Sequence, residues 1–159
     1  MRDDPPISTP ARMLGFAGLL PQLLALLLTA TRIDPAMGAM MALAYAVLIV
    51  SFLGGIWWGF AMRCGATRQP QMAVLAVAPT LTAFALVLAR LLGFRTDWTL
   101  VAIAVVLMLT LLIDRMFVED GIAPPGWMGL RTPLSTGLAL LTLAIAIVAP
   151  AHILISYSN

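Results

Sequence analysis

The chain has 159 residues, of which 62% are hydrophobic and 10% charged, and its formal net charge is +2. Soluble domains are about 45–50% apolar and about 25% charged, so a water-soluble fold is excluded, and no stretch is polar enough to form a second domain. The basic residues are nine arginines dispersed singly between apolar runs, which excludes the basic face that nucleic-acid binding requires.

Crossing about 30 Å of hydrocarbon takes roughly 20 apolar residues in a helix. Five windows qualify: Met13–Thr31, Met37–Met62, Pro70–Leu92, Asp97–Val118 and Thr132–Ile155. Backbone polar groups inside a bilayer must be satisfied by a helix or a closed barrel. The runs are continuously apolar and do not alternate as barrel strands do. The expected fold is therefore all-α, a polytopic bundle of five transmembrane helices over residues 13–155. A cytoplasmic segment 1–12 precedes it and a short tail 156–159 follows. The links Arg32–Pro35, Arg63–Gln69 and Gly93–Thr96 are short enough to force antiparallel neighbours, and Glu119–Arg131 is the longest connection. Thr96-Asp97 are expected to cap the fourth helix, and Pro70 suits the first turn of the third.

The first apolar run is longer than a secretory leader's core, and Asp3 and Asp4 weaken a basic leader, so the first window is read as a retained span. Arg2, Arg12, Arg63, Arg68, Arg115 and Arg131 fall on the N-terminal side, and Arg32, Arg90 and Arg95 on the other. By the positive-inside rule this places the N-terminus in the cytoplasm and the C-terminus outside, in a bacterial inner membrane.

Ser51-Phe-Leu-Gly-Gly-Ile-Trp-Trp-Gly59 is the most informative stretch. Gly55 and Gly59 form a small-xxx-small face that lets another backbone come close, and Gly54 widens it. This notch serves either ordinary helix packing or a cleft for a ligand or partner helix. Trp57 and Trp58 are expected to anchor at the membrane interface, and since successive residues point about 100° apart, at most one faces squarely inward. Pro21 with Gln22 interrupts the first helix, and Pro79 with Thr80 and Thr82 the third. Each proline frees a carbonyl that needs a partner. Both lie at a depth of roughly 13 Å, similar to Ser51, Gly54 and Gly55. The layer is read either as kinked helices with Thr and Gln serving the freed carbonyls, or as a shallow cavity.

An ionisable group within a span implies a partner. Asp114, closing the fourth helix, is paired with Arg131, opening the fifth; exchanging the two residues is expected to restore part of what either loss costs. Pro124-Pro125-Gly126 makes a turn that leaves Trp127 as an interfacial anchor. His152 stands alone, Cys64 has no second cysteine, and the methionines are scattered, so neither a haem held by two histidines nor a zinc site is expected. No P-loop, GxSxG or HExxH occurs. No catalytic residues, metal or cofactor are assigned, and the chain is not expected to be an enzyme.

Leu14-Gly-Phe-Ala-Gly-Leu-Leu-Pro21, the Ser51–Gly59 block, Pro125-Gly126-Trp127 and Leu130-Arg-Thr-Pro-Leu-Ser135 together resemble the small membrane family named domain of unknown function 3429. The resemblance covers nearly the whole chain and is most specific at Gly-Gly-x-Trp-Trp-Gly. It implies a compact multi-helix membrane protein without an established activity, and family-like positions at Pro21, Gly54, Gly55, Trp58, Gly59, Asp114, Trp127 and Arg131. The family often has His where Trp57 stands here, so the resemblance argues against a proton-transfer or metal role at that position.

Two functions are expected. The first is a structural or accessory subunit that packs through its helices against a larger respiratory or photosynthetic complex. The alternative is a binding protein or carrier for a lipid, quinone, porphyrin or carotenoid. Pro21, Ser51, Gly54, Gly55, Trp58, Gly59 and Pro79 are the candidate positions for the ligand or the partner.

Overall fold

A computed structural model of the chain describes residues 7–149, and all its regular structure is helical: α1 (Thr9–Ala17), α2 (Leu20–Ala30), α3 (Pro35–Ala61), α4 (Gln69–Leu91), α5 (Thr96–Glu119) and α6 (Trp127–Val148). The first window is one span broken at Gly18-Leu19, so α1 and α2 together cross once and the spans number five. These lengths and compositions make the protein a multi-pass integral membrane protein. The expected end of the last helix at Ile155, His152, the tail 156–159 and the start of the N-terminal segment lie outside the described residues.

The starts of the helices follow local chemistry. The Asp34 carboxylate accepts from Met37 N at 2.9 Å and Pro35 occupies the first turn, which together fix where α3 begins. Pro70 takes the same role in α4. The cap expected at Thr96-Asp97 is not made: Arg95 is the capping residue of α5, and Asp97 lies inside the first turn and pairs with Arg95 Nη2 at 2.6 Å. An arginine within reach on the loop outcompetes backbone amides for that carboxylate. The last helix begins five residues earlier than expected. Gly126 adopts a left-handed φ of 79° just before it, so Trp127–Arg131 are helical and the connection shrinks to 120–126.

Central helix α3 packs against α2, α4, α5 and α6, and α5 lies along α6. Its buried stripe runs Ala39, Ala42, Ala46, Val50, Leu53, Trp57 and Ala61, stepping three or four residues each time. Alanines let the neighbouring backbones come close, as bilayer-embedded helices require where lipid tails are as apolar as the side chains. The closest approaches are at two glycines. A Cβ on Gly38 would stand 2.8 Å from the Ala25 carbonyl oxygen of α2, and one on Gly54 would stand 2.6 Å from the Ala76 carbonyl oxygen of α4.

The exterior is apolar and the interior is where the polar groups gather. Leu81, Phe84, Leu91 and Ile147 are exposed, whereas Gln22, Thr29, Thr99, Thr142 and Asp114 are fully or almost fully buried. This inversion is what hydrocarbon as solvent selects. Gln22 Nε2 donates to Thr142 Oγ1 at 2.8 Å, tying α2 to α6. It does not serve a carbonyl freed by Pro21. At the break, the Tyr45 hydroxyl of α3 donates instead to the Gly18 carbonyl.

Candidate functional site

The ends of α3 and α5 and the start of α6 meet on one side of the bundle, and within about 6–8 Å of those ends, measured along the helices, three long polar side chains converge on Asp114. Its carboxylate is fully buried. Asp114 Oδ1 accepts from the indole N–H groups of both Trp57 and Trp127, each at 2.9 Å, and Oδ2 accepts from Arg131 Nε at 2.8 Å. Arg131 Nη2 reaches Thr110 Oγ1 at 3.4 Å, and that hydroxyl donates to the Leu107 carbonyl at 2.7 Å. The guanidinium also lies 5.9 Å from the Trp127 ring centroid, within cation–π range. Edge-on contacts of Phe117 with Trp57 and Phe60, and of Phe60 with Trp127, surround the cluster at centroid distances of 5.5–6.0 Å.

Among the described residues this is the one ion pair with both partners buried. A buried carboxylate is tolerable only when its charge is matched and its lone pairs are used. Here one cation and two neutral donors do this, and the aromatic rings keep lipid and water away.

This arrangement corrects two assignments. Trp57 is 2% exposed and holds the carboxylate; it is not an interfacial anchor. Trp127 is half-buried and spends its N–H on Asp114, so it anchors α6 to α5 and α3 as much as to a membrane surface. The pairing of Asp114 with Arg131 is made, but as part of a network of four side chains that the sequence does not display.

The seven positions considered for a ligand or partner do not share one cavity. Gly54 faces α4, close to Pro79 Cβ and Thr80 Oγ1, and Pro79 is buried there. Gly55 and Gly59 point outward, with nothing within 4 Å of where a Cβ would stand. Trp58 is 46% exposed on that outer surface, where it borders a shallow open groove with Val74, Val77 and Leu81. Ser51 is half-buried and Pro21 sits in the first turn of α2. Helical geometry separates them: Gly54 and Gly55 are about 100° apart on α3, so one contiguous glycine motif serves two surfaces.

A different cleft lies beside the carboxylate cluster. It encloses about 300 Å³ between α1, α3 and α6, with Leu14, Leu19, Phe52, Ile56, Leu134 and Leu138 among its apolar walls. Gly15 and Gly18 contribute no side chain on one side, and Trp127, Arg131 and Ser135 stand on the other. The last three recur every four residues and so share one face of α6. The cleft exists because the helix break at Gly18-Leu19 leaves α1 resting on α6 alone, with no broad contact to α3. None of the seven tentative positions lines it. A run of leucines and glycines beside a proline carries no sequence signal for a cavity.

Among the described residues there is no cluster of three or more His, Cys, Asp or Glu. No curated protein and no solved structure matches the chain. A family model described as protein of unknown function (DUF3429) matches residues 7–148, nearly the whole chain and every element described above, so this protein belongs to that family.

Proposed function

We propose that this protein is a non-catalytic membrane protein that holds a small hydrophobic molecule in the cleft between α1, α3 and α6. The observation that carries this reading is the cleft itself: about 300 Å³, mostly apolar, with Trp127, Arg131 and Ser135 spaced along its α6 wall. Ligand sites are typically apolar concavities of about 300–1,000 Å³ with a few polar groups placed to orient the guest. Trp127 and Arg131 are engaged in holding the bundle together, and with Ser135 they form no nucleophile–base pair, which favours binding over catalysis. Replacing Gly15 by Leu fills the cleft from α1. Its nearest neighbours would be the flexible tips of Leu134 and Leu130, at 3.1 and 3.4 Å from the new Cβ, so the bundle should accommodate it. Native mass spectrometry of protein extracted in mild detergent should show a bound apolar mass on the wild type and its loss from Gly15→Leu. Equal loads on the two proteins would exclude the cleft as the site.

A second reading is favoured by one feature, the outward Gly55-x3-Gly59 strip on α3. On this reading the protein is an accessory subunit and the strip receives a helix of a larger membrane complex, respiratory or photosynthetic. Gly55→Leu and Gly59→Leu would then change what co-purifies without changing the stability of the isolated bundle. Unaltered co-purification with both variants removes this reading.

For either role we place the protein in a bacterial inner membrane with the side carrying the α3–α4 and α5–α6 connections in the cytoplasm. Among the described residues, Arg12, Arg63, Arg68, Arg115 and Arg131 lie towards that side, against Arg32, Arg90 and Arg95 on the other. Ala66, exposed in the α3–α4 connection, supplies the test. An Ala66→Cys change in a Cys64→Ser background should resist an impermeant maleimide in intact cells and react after lysis. Labelling of intact cells would reverse the orientation.

A further inference from the structure

The α6 wall of the cleft carries a charge balance that narrows what fits there. Arg131 is 6% exposed, and its positive charge is matched one for one by Asp114 at 2.8 Å. That carboxylate in turn is saturated by two indole N–H groups and the Arg131 Nε. A second anion placed against this cluster would bring one unmatched negative charge into a low-dielectric site beside Asp114, a situation that proteins avoid. Arg12, whose guanidinium lies 3.9 Å from where a Gly129 Cβ would stand, is not among the residues that wall the cleft, and Arg131 is the one cation that does.

The same wall has an unmet hydrogen bond. Ser135 is 2% exposed, and its buried hydroxyl has no partner among the described residues. An unpaired buried hydroxyl is costly, and in native proteins it calls for a partner that completes it. Ser135 lies on the cleft wall one turn beyond Arg131, whose hydrogen bonds among the described residues use Nε and Nη2. The two residues therefore follow one another on the α6 wall of an apolar slot. From Trp127 to Leu138 the slot runs eleven residues of α6, about 16 Å at the rise of a helix.

Resting on the reading of the cleft as a binding site, we infer that its occupant is an uncharged amphiphile whose head is a hydrogen-bond acceptor, a carbonyl of a quinone or an ester, placed against Ser135 and Arg131, with its apolar part against the leucine walls of the slot. Charge neutrality is set by the Asp114–Arg131 match, acceptor character by the donor-only Arg131 guanidinium next to the unpartnered Ser135 hydroxyl, and the elongated shape by the leucine-lined slot. An isoprenoid quinone and a neutral glycerolipid present the same chemistry, and the test separates them.

Purified protein in mild detergent is titrated with three probes: a decyl benzoquinone, dioctanoyl glycerol and dodecanoate. Binding is followed by calorimetry and by competition. Saturable binding of one or both neutral probes is expected, and the tighter of the two identifies the source. Ser135→Ala should weaken the neutral probe about five- to tenfold, the effect of losing one hydrogen bond. The same change should leave thermal stability unchanged or raised, because it removes an unsatisfied group. Gly15→Leu should abolish binding. Dodecanoate binding as tightly as the neutral probes, or unchanged affinity in Ser135→Ala, overturns the inference about the head group while leaving the cleft as a binding site. If none of the three binds saturably, the cleft reading falls as well.

Discussion

Replacing Asp114 with Ala is expected to destabilise the bundle by about 3–5 kcal/mol, the range for removing one partner of a buried ion pair. The reason lies in what remains. Arg131 would keep its charge at 6% exposure with no anion, and the N–H groups of Trp57 and Trp127, both now bonded to Asp114 Oδ1 at 2.9 Å, would lose their acceptor together. Thermal unfolding in mild detergent, followed by circular dichroism, measures the loss. Asp114→Leu combined with Arg131→Leu should be less damaging than Asp114→Ala, because the uncompensated charge is gone and only the two indoles are orphaned.

The charge exchange that the sequence recommends, Asp114→Arg with Arg131→Asp, is expected to fail. Two indole donors address position 114, and a guanidinium there is a donor too, with no lone pair to offer. Recovery of stability by that exchange would show that the indole bonds contribute little and that the pair acts as a simple charge contact.

The second large effect is at the helix crossings. Gly38→Ala should cost about 1–3 kcal/mol, since the new methyl would stand 2.8 Å from the Ala25 carbonyl oxygen and also meet the Thr29 side chain and backbone N. Backbone cannot rotate away as a side-chain tip can, so α2 and α3 must separate. Gly54→Ala should behave alike, because it meets the Ala76 carbonyl oxygen across α4 at 2.6 Å. Gly55→Ala is the internal control. Its methyl would enter open space, so stability should hold or rise slightly, alanine being the better helix former. A loss at Gly55 equal to that at Gly54 would mean that the outward strip of α3 is already covered within the bundle.

These outcomes also separate the two proposed roles. Gly55 and Gly59 matter only if another chain comes to α3, whereas Gly15 and Ser135 matter only if a small molecule enters the cleft. Stability measurements on the isolated protein are indifferent to the first pair and nearly so to the second, so loss of a partner or a ligand is readable without confusion with misfolding.

The sequence alone determined the class of solvent, the number of spans and, to within two residues, the boundaries of the three middle ones, because apolar runs of about 20 residues have one cheap solution in hydrocarbon. It also determined that Asp114 needs a cation and that Arg131 is within reach, because an ionisable residue in a span is too costly to leave alone. It did not determine which tryptophans complete that carboxylate. Trp57 and Trp58 are adjacent and chemically alike, and the direction of α3 about its axis, set by packing of Ala42, Ala46 and Val50, turns one inward to 2% exposure and leaves the other 46% exposed. The same rotation divides Gly54 from Gly55. The cleft was decided only by tertiary structure. It arises from the angle at which α1 leaves α2 at Gly18-Leu19 and from the gap this opens against α3 and α6. Such a gap is a property of three non-adjacent segments, and no periodicity within any one of them encodes it.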